Sequence, residues 1–315
     1  MSDLSATLNV RGSPISIRSV IFALAAGLTV TVTGQQEADS SFDVRVTHPA
    51  YTTTYPKVLF DEAHHNFHTA TGRYKPFVDL ISNDGYQVSP NKQTFTKDTF
   101  AGFQVLVIAN ALGSSDFEAA DASSPAFTQL ECDNVRDWVQ NGGALLLIAD
   151  HAPAGAAAEN LAARFGVEMS KAYVADPANF QRIALDVSWI MFSRENKALG
   201  DHAITRGRND GERINRVLSF TGQSLKGPEG STAILKLSDA AYDVFDGNKP
   251  ERARVSSAAG RSQALALVFG KGRVVVFGEA AMLTAQEKNF GMNYPGTDNR
   301  QLALNTMHWL TGLLK

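Results

Sequence analysis

Residues 141–151 read NGGALLLIADH, and this stretch joins a glycine stop, an uninterrupted apolar run and two titratable side chains. The apolar run, residues 144–149, has no polar position, which is typical of a parallel strand buried on both faces. The glycines end the preceding stretch, residues 127–140, in which apolar residues recur at helical spacing. This order of helix, stop and buried strand predicts a parallel sheet covered by helices.

The same alternation of apolar runs and amphipathic stretches begins at residue 57. It predicts strands at residues 58–60, 86–88 and 103–109 and helices at residues 74–83 and 156–165. Two later runs, residues 264–269 and 273–277, flank a glycine-containing turn and predict a hairpin. A closing helix is expected at residues 299–310, with Asp298 as N-cap and Gln301 completing a capping box. The expected fold class is α/β, a doubly wound, mostly parallel sheet with helices on both faces.

The middle of the chain, from residue 168 to about residue 230, is polar and rich in loops. It predicts either a lid or an excursion of strands. No internal repeat or low-complexity linker follows the N-terminal region, which favours one domain over residues 57–315. With 315 residues and 44% hydrophobic content, such a domain can bury a sizeable core.

The N-terminal region differs in character from the rest. Arg11 and Arg18 precede an apolar run at residues 20–32, and a polar stretch follows. This order predicts a signal peptide or N-terminal anchor over residues 1–34, followed by an extended segment at residues 35–56. A buried strand or a disordered tail is the alternative interpretation. A signal peptide implies export, to the periplasm or to the extracellular space.

Charge and cysteine content exclude some classes of function. The formal net charge is −3 and basic residues do not cluster, so nucleic acid is not an expected partner. No integral membrane domain is expected beyond the N-terminal anchor. Cys132 is the only cysteine, which excludes an intrachain disulfide, and its helical context predicts an inert residue rather than a nucleophile.

Polar side chains crowd the segment after the first predicted strand, namely Asp61, Glu62, His64, His65 and His68. Ligands of open α/β sheets bind beyond the carboxyl ends of the strands, so this segment lies where a site is expected. Imidazole and carboxylate groups bind zinc, and they also act as general acids and bases near neutral pH. The spacing is not that of a zinc-binding helix motif. Histidines that brace the loop or face solvent are the alternative.

Asp150 and His151 repeat this arrangement at the end of the fourth predicted strand. If the first and fourth strands are neighbours, the polar groups of both turns converge at one edge of the sheet. A helix cap is the alternative role for Asp150. Glu279 follows the strand at residues 273–277 and is either a further carboxylate of the site or a residue that faces a helix dipole.

Two later segments hold weaker candidates. Asp201 is expected to cap a short helix, with His202 either a ligand or a structural residue. Asn293, Tyr294 and Arg300 belong to a segment rich in Gly, Pro and Asn, a composition typical of an ordered functional loop. These three residues are the candidates for binding a polar substrate.

Five segments together resemble class I glutamine amidotransferase-like proteins, specifically their ThuA-like branch of unknown function: residues 58–65, 141–147, 201–207, 278–280 and 298–305. The resemblance implies a flavodoxin-like sheet with its site at the turn after strand four. Amidotransferases carry a G-x-C-x-G nucleophile elbow at that turn, whereas this chain has Ala149-Asp150-His151-Ala152-Pro153. Because neither cysteine nor serine occupies the elbow, glutamine hydrolysis through a thioester is excluded.

The expected function is that of an exported hydrolase-like enzyme, metal-assisted if zinc binds, acting on a small polar or carbohydrate-related substrate. A divalent cation would be held by His64, His65, His68 and His151, or these histidines would share acid and base roles with Asp61 and Asp150. Glu62 or Glu279 would activate water. The alternative is a non-catalytic module of the cell envelope that binds a sugar or a protein, with an accessory component of an envelope transport system as a third interpretation.

Overall fold

The computed structural model describes residues 37–181, 186–245, 254–287 and 289–315. Its helices are α1 (Lys75–Asn83), α2 (Gln129–Gln140), α3 (Ala154–Ala163), α4 (Ala203–Arg206) and α5 (Asn299–Leu310). The longer strands are β1 (Lys57–Asp61), β2 (Gln87–Asn91), β3 (Val105–Ala109), β4 (Ala144–Ile148), β10 (Thr232–Lys236), β11 (Tyr242–Phe245), β12 (Arg254–Ser257), β13 (Ser262–Phe269) and β14 (Gly272–Phe277). The short strands are β5 (Glu168–Met169), β6 (Tyr173–Ala175), β7 (Met191–Ser193), β8 (Arg216–Leu218), β9 (Leu225–Lys226), β15 (Ala285–Gln286) and β16 (Phe290–Gly291).

The central sheet has nine strands in the order β2-β1-β3-β4-β14-β13-β9-β5, with β10 paired to β13. Strands β2, β1, β3, β4 and β14 are parallel to one another. The pairings of β13 with β14, β9 and β10 are antiparallel, as is that of β5 with β9. The carboxyl ends of the five parallel strands therefore meet at one edge, and the α/β class predicted from the sequence is confirmed.

Both faces of the sheet are covered because its central strands are apolar at every position. β3 and β4 are buried along their whole length. Alternate side chains point to opposite faces, so Phe60 packs with α1 and α5, whereas Leu59 packs with α2 and α3. Cys132 lies buried in α2, as predicted, and burial raises the pKa of its thiol to about 11.

The middle of the chain forms short strands. β5 and β9 extend the central sheet, β7 pairs with β8, and β6 joins β11 and β12 in a separate three-stranded sheet. The strand excursion, one of the two alternatives for this region, is therefore present over the residues described.

Asp298 is the N-cap residue of α5, as predicted, but its side chain forms no cap hydrogen bond, so the predicted capping box with Gln301 is absent. The Asp298 Oδ2 instead accepts hydrogen bonds from the backbone N–H groups of Asn215 and Arg216. The predicted cap at Asp201 is wrong. The cap is His202, whose Nδ1 accepts from the Ile204 backbone N–H at 3.2 Å, while Asp201 forms an exposed ion pair with Arg206.

Residues 37–56 run over the surface without a helix or a named strand. They are attached by a bridge between Ala38 and Gln286 and by hydrogen bonds from the Ala50 and Tyr51 backbones to Asp84. Over the described ranges, no helix is both long enough and apolar enough to cross a membrane. The predicted signal peptide or anchor, residues 1–34, lies outside the described residues.

Candidate functional site at the carboxyl edge of the sheet

Four polar side chains stand where the parallel strands end. Asp61 is the last residue of β1, Asn110 follows β3, Asp150 lies two residues beyond the end of β4, and Glu279 lies two residues beyond β14. Since β3 separates β1 from β4, the first and fourth strands are not neighbours. The side chains that were expected to converge therefore form two separate groups.

The first group is centred on His64. Its Nδ1 lies 2.9 Å from Asp61 Oδ2 and its Nε2 lies 3.0 Å from Glu131 Oε1. The ring is only 5% exposed and packs between Phe95 and Phe127, with each centroid at 4.6 Å. Burial lowers the pKa of His64, but the two carboxylates outweigh it and leave the pKa raised. The raised pKa favours the imidazolium form, in which each ring nitrogen donates to a different carboxylate.

Glu131 joins this group to helix α2. Burial raises its pKa, but hydrogen bonds from His64, from Thr128 and from the Phe95 backbone lower it to about 2. Glu131 and Thr128 also form the capping box of α2. His64 therefore holds the loop after β1 to the start of α2. It braces the loop, which is the alternative to the role of a metal ligand.

The second group is centred on Asp150. Asn110 contacts it twice: Asn110 Nδ2 donates to Asp150 Oδ2 at 2.9 Å, and the Asp150 backbone N–H donates to Asn110 Oδ1 at 2.9 Å. The Ala280 backbone N–H donates to Asp150 Oδ1 at 3.2 Å. Burial raises the pKa of Asp150 above its ordinary value, against the opposing effects of His151, Asn110 and Ala280. This carboxyl is therefore fixed in position by three strand ends.

Asn110 was not predicted from the sequence. It adopts the left-handed conformation, φ 48°, which asparagine tolerates better than most residues. A usable signal was present, because Asn110 follows the wholly apolar strand β3 much as Asp150 follows β4.

Glu279 lies behind Asp150 and is 1% exposed. Its two carboxyl oxygens accept from the Ala281 and Met282 backbone N–H groups, each at 2.7 Å. Burial raises the pKa of Glu279 well above its ordinary value, and the neighbouring charge of Asp150 raises it further. Two carboxyl groups that oppose each other in this way do not ionise independently, because ionisation of one raises the pKa of the other.

His151 and His68 are neutral rings at this edge. The His151 Nδ1 lies 2.8 Å from the Ala152 carbonyl oxygen, and its ring lies against Tyr173 with centroids 3.7 Å apart. Burial lowers the pKa of His151, although Asp150 opposes this. Burial also lowers the pKa of His68 to about 3. A protonated His68 is therefore not available for acid catalysis near neutral pH.

The remaining candidates from the loop after β1 do not join either group. His65 is exposed and has φ 49°. The Glu62 carboxylate accepts from the Ala70 backbone at 2.9 Å and so braces the loop. Among the described residues, no set of three or more His, Cys, Asp and Glu side chains is arranged to hold a metal ion. Zinc binding stays a prediction from the sequence, and metal analysis of the purified protein would test it.

An aromatic cluster lies beside Glu279. The Phe220 backbone hydrogen-bonds the Glu279 carboxyl. The Phe220 ring contacts Trp189, Phe290 and Tyr294, all three of which are partly exposed. Tyr294 therefore lies near the site, and its part in binding a substrate stays a prediction.

The two other predicted substrate-binding residues are used differently. Asn293 donates to Asp39 Oδ2 at 2.9 Å and to the Gln286 carbonyl at 2.8 Å, and so holds the segment before β1 in place. Arg300 lies on α5 and donates to the Asp43 and Arg45 carbonyls.

Comparison with known proteins shows the fold of this chain but does not assign it to a family. No family model matches the sequence, and no curated protein matches it. Among solved structures, the mmIFT52 N-terminal domain is 14% identical at a TM-score of 0.56, over 81% of this chain and 97% of that one. A likeness at this identity concerns the fold alone.

Two further matches are more distant. A putative ThuA-like protein from Bacteroides uniformis is 12% identical at a TM-score of 0.40, over 88% of this chain and 97% of its own. A putative GMP synthase component from Thermoplasma acidophilum is 11% identical at a TM-score of 0.41, over 82% of this chain and 97% of its own. These scores carry no inference about function.

Proposed function

We propose that this protein is a hydrolase-like enzyme that acts on a small polar or carbohydrate-related substrate, with Asp150 as its general base. The observation that supports this most is the placement of Asp150: a half-buried carboxyl with a raised pKa, two residues beyond a buried parallel strand and fixed by Asn110 and Ala280. Ligand sites of open α/β sheets lie at this edge. A general base works best when its pKa is close to the working pH, so a raised pKa suits this role.

The other groups have roles that follow from their positions. Ionised Asp150 would take a proton from water as the water attacks the substrate, and the protonated Asp150 would return that proton to the departing group as its bond to the substrate breaks. His151 presents Nε2 as an acceptor when its Nδ1–H donates to the Ala152 carbonyl. Glu279 is too buried to touch the substrate and would act through Asp150. Trp189, Phe290 and Tyr294 would offer apolar ring surface to a sugar.

The fold resemblance adds context to this proposal. Asp150 occupies the turn between β4 and α3, where the resemblance to amidotransferase-like proteins places the nucleophile. A carboxylate there favours activation of water over formation of a thioester. Export is part of the proposal and rests on the sequence pattern of residues 1–34 alone.

The proposal is tested with purified protein and a panel of chromogenic glycosides and esters. Removal of a general base costs about 10²–10⁴-fold in rate, so Asp150→Asn should lower kcat/KM by at least about 100-fold. The matched control is Asp137→Asn on the solvent side of α2, which should retain the wild-type rate. Hydrolysis that is equally fast in both variants would remove Asp150 from the mechanism.

The alternative, a non-catalytic module that binds a sugar, is favoured by the partly exposed aromatic cluster. It predicts that the wild-type protein hydrolyses no member of the panel and that Asp150→Asn binds sugars as tightly as wild type. The shifted pKa values of Asp150, His151 and Glu279 favour the enzyme, because a pure binding surface has no need of them.

A further inference from the structure

A polar cavity of about 630 Å³ lies beside α5. Its walls are α5, the surface segment at residues 45–49 and the loop at residues 208–212. None of its lining residues belongs to the group around Asp150. Its volume falls within the range of about 300–1,000 Å³ that is usual for small-molecule sites.

Three arginines line this cavity, and one of them, Arg300, has no direct ion pair among the described residues. Arg208 pairs with Glu212, and Arg45 pairs with Asp43 at the surface. Arg300 is partly buried, and its hydrogen bonds go to backbone carbonyls: Nη2 to Arg45 O at 2.7 Å and Nε to Asp43 O at 3.4 Å. Across the described ranges, no carboxylate lies within ion-pair distance of the Arg300 guanidinium. The carboxylates of Asp43 and Asp84 act on this guanidinium only from beyond that distance.

The two acids that line the cavity are already engaged. Asp84 accepts from the Ala50 backbone at 2.8 Å and contacts His308 Nε2 at 2.6 Å. Glu212 accepts both from the Arg208 guanidinium and from the Arg208 backbone. Neither acid therefore forms an ion pair with Arg300, and Asp84 acts on it only from a distance.

We propose that this cavity binds a small organic anion that carries a carboxylate or phosphate group. The anionic oxygens accept hydrogen bonds from Arg300, and Arg45 completes the contact by turning away from Asp43. Arg45 is free to do so because its side chain is 85% exposed and its ion pair with Asp43 is at the surface. A planar guanidinium matches the geometry of both oxyanions, so the site accepts either group.

Isothermal titration of the full chain with inorganic phosphate and, separately, with succinate tests this proposal, with sodium chloride at equal ionic strength as the blank. Saturable binding of at least one anion is expected. Arg300→Gln should weaken it by about tenfold or more, because a charge-assisted contact is lost. Arg45→Gln should weaken it as well. Arg136→Gln removes a paired arginine on α2, outside the cavity, and should bind like wild type.

The results of these titrations identify which anionic group binds and can overturn the proposal. Binding of phosphate alone identifies a phosphate-bearing ligand, and binding of succinate alone identifies a carboxylate. Absence of saturable binding by both anions overturns the proposal, as does unchanged affinity in folded Arg300→Gln. If circular dichroism shows that Arg300→Gln is unfolded, Arg45→Gln decides the matter, since an exposed side chain can be replaced without loss of the fold. Unchanged affinity in that variant then overturns the proposal.

Discussion

Among single residues at the carboxyl edge, His64 is held from two sides, because each ring nitrogen contacts a different carboxylate. Replacement by glutamine leaves Asp61 and Glu131 buried without their cation. Loss of one partner from a buried ion pair costs about 3–5 kcal/mol. We therefore expect His64→Gln to lower the free energy of unfolding by about 3 kcal/mol, measured by urea denaturation.

The adjacent His65 provides the control for this measurement. His65 is exposed and adopts a left-handed conformation that asparagine accepts, so His65→Asn should change stability by less than about 0.5 kcal/mol. Equal losses in the two variants would contradict the bracing role of His64.

The pH dependence of stability gives a second measure of the same contact. The pKa of folded His64 is raised above its ordinary value of 6.5. Its contribution to stability is therefore fully present below pH 6.5 and is lost as the pH rises through the folded pKa. The stability difference between wild type and His64→Gln should narrow over that alkaline range.

The sequence predicts which residues lie at this edge of the sheet better than it predicts which side chains they contact. Asp150, His151 and Glu279 were predicted because each follows an apolar run, and position after a strand can be read from the sequence. The pairing of His64 with Glu131 could not be read in this way, since 67 residues separate them and Glu131 is recognisable only as a helix-start acid. Asn110 was missed because an asparagine after a strand is usually a turn residue.

At the scale of elements, the end of α1 shows how a glycine can be required by both conformation and contact. Gly85 has φ +98°, and a Cβ placed there would lie 2.0 Å from the Tyr51 carbonyl oxygen. Gly102 has φ +79° but nothing within 4 Å of its Cβ position. Gly102→Ala should cost about 1–2 kcal/mol from backbone strain alone.

We expect Gly85→Ala to cost distinctly more than Gly102→Ala, because the backbone around Tyr51 must also move. Thermal unfolding of the two variants measures the difference. Equal shifts in Tm would show that Tyr51 does not pack closely against the end of α1.

Long elements were predicted well because their patterns are local. The helices near residues 74–83 and 127–140 and the hairpin of β13 and β14 are confirmed, since apolar periodicity and glycine stops specify them. The predicted start of α3 was two residues late. Strands of two or three residues, such as β5 and β9, carry no periodic signal and depend on pairing with distant segments. The capping box predicted for Asp298 is absent for a related reason, because the Asp298 side chain binds partners that lie more than 80 residues away.

At the scale of the whole molecule, the decisive feature is the order of the parallel strands. The sequence predicts a parallel sheet, but strand order depends on how the crossovers are arranged, and β3 separates β1 from β4. As a result, the acids and histidines of the edge fall into a bracing group around His64 and a separate group around Asp150. Hydrogen bonds still link the loops that carry the two groups, because the Phe67 backbone N–H donates to the Asn110 carbonyl and Asn110 contacts Asp150.

Asp150 and Glu279 form a pair of carboxyl groups with raised pKa values at the carboxyl edge of the sheet. Carbon-13 NMR titration of the side-chain carboxyl signals measures this directly, with Asp150→Asn and Glu279→Gln used to assign the two resonances. We predict that Asp150 titrates above 3.8 and that Glu279 titrates well above 4.5. Titration of both groups at or below those values would contradict the account.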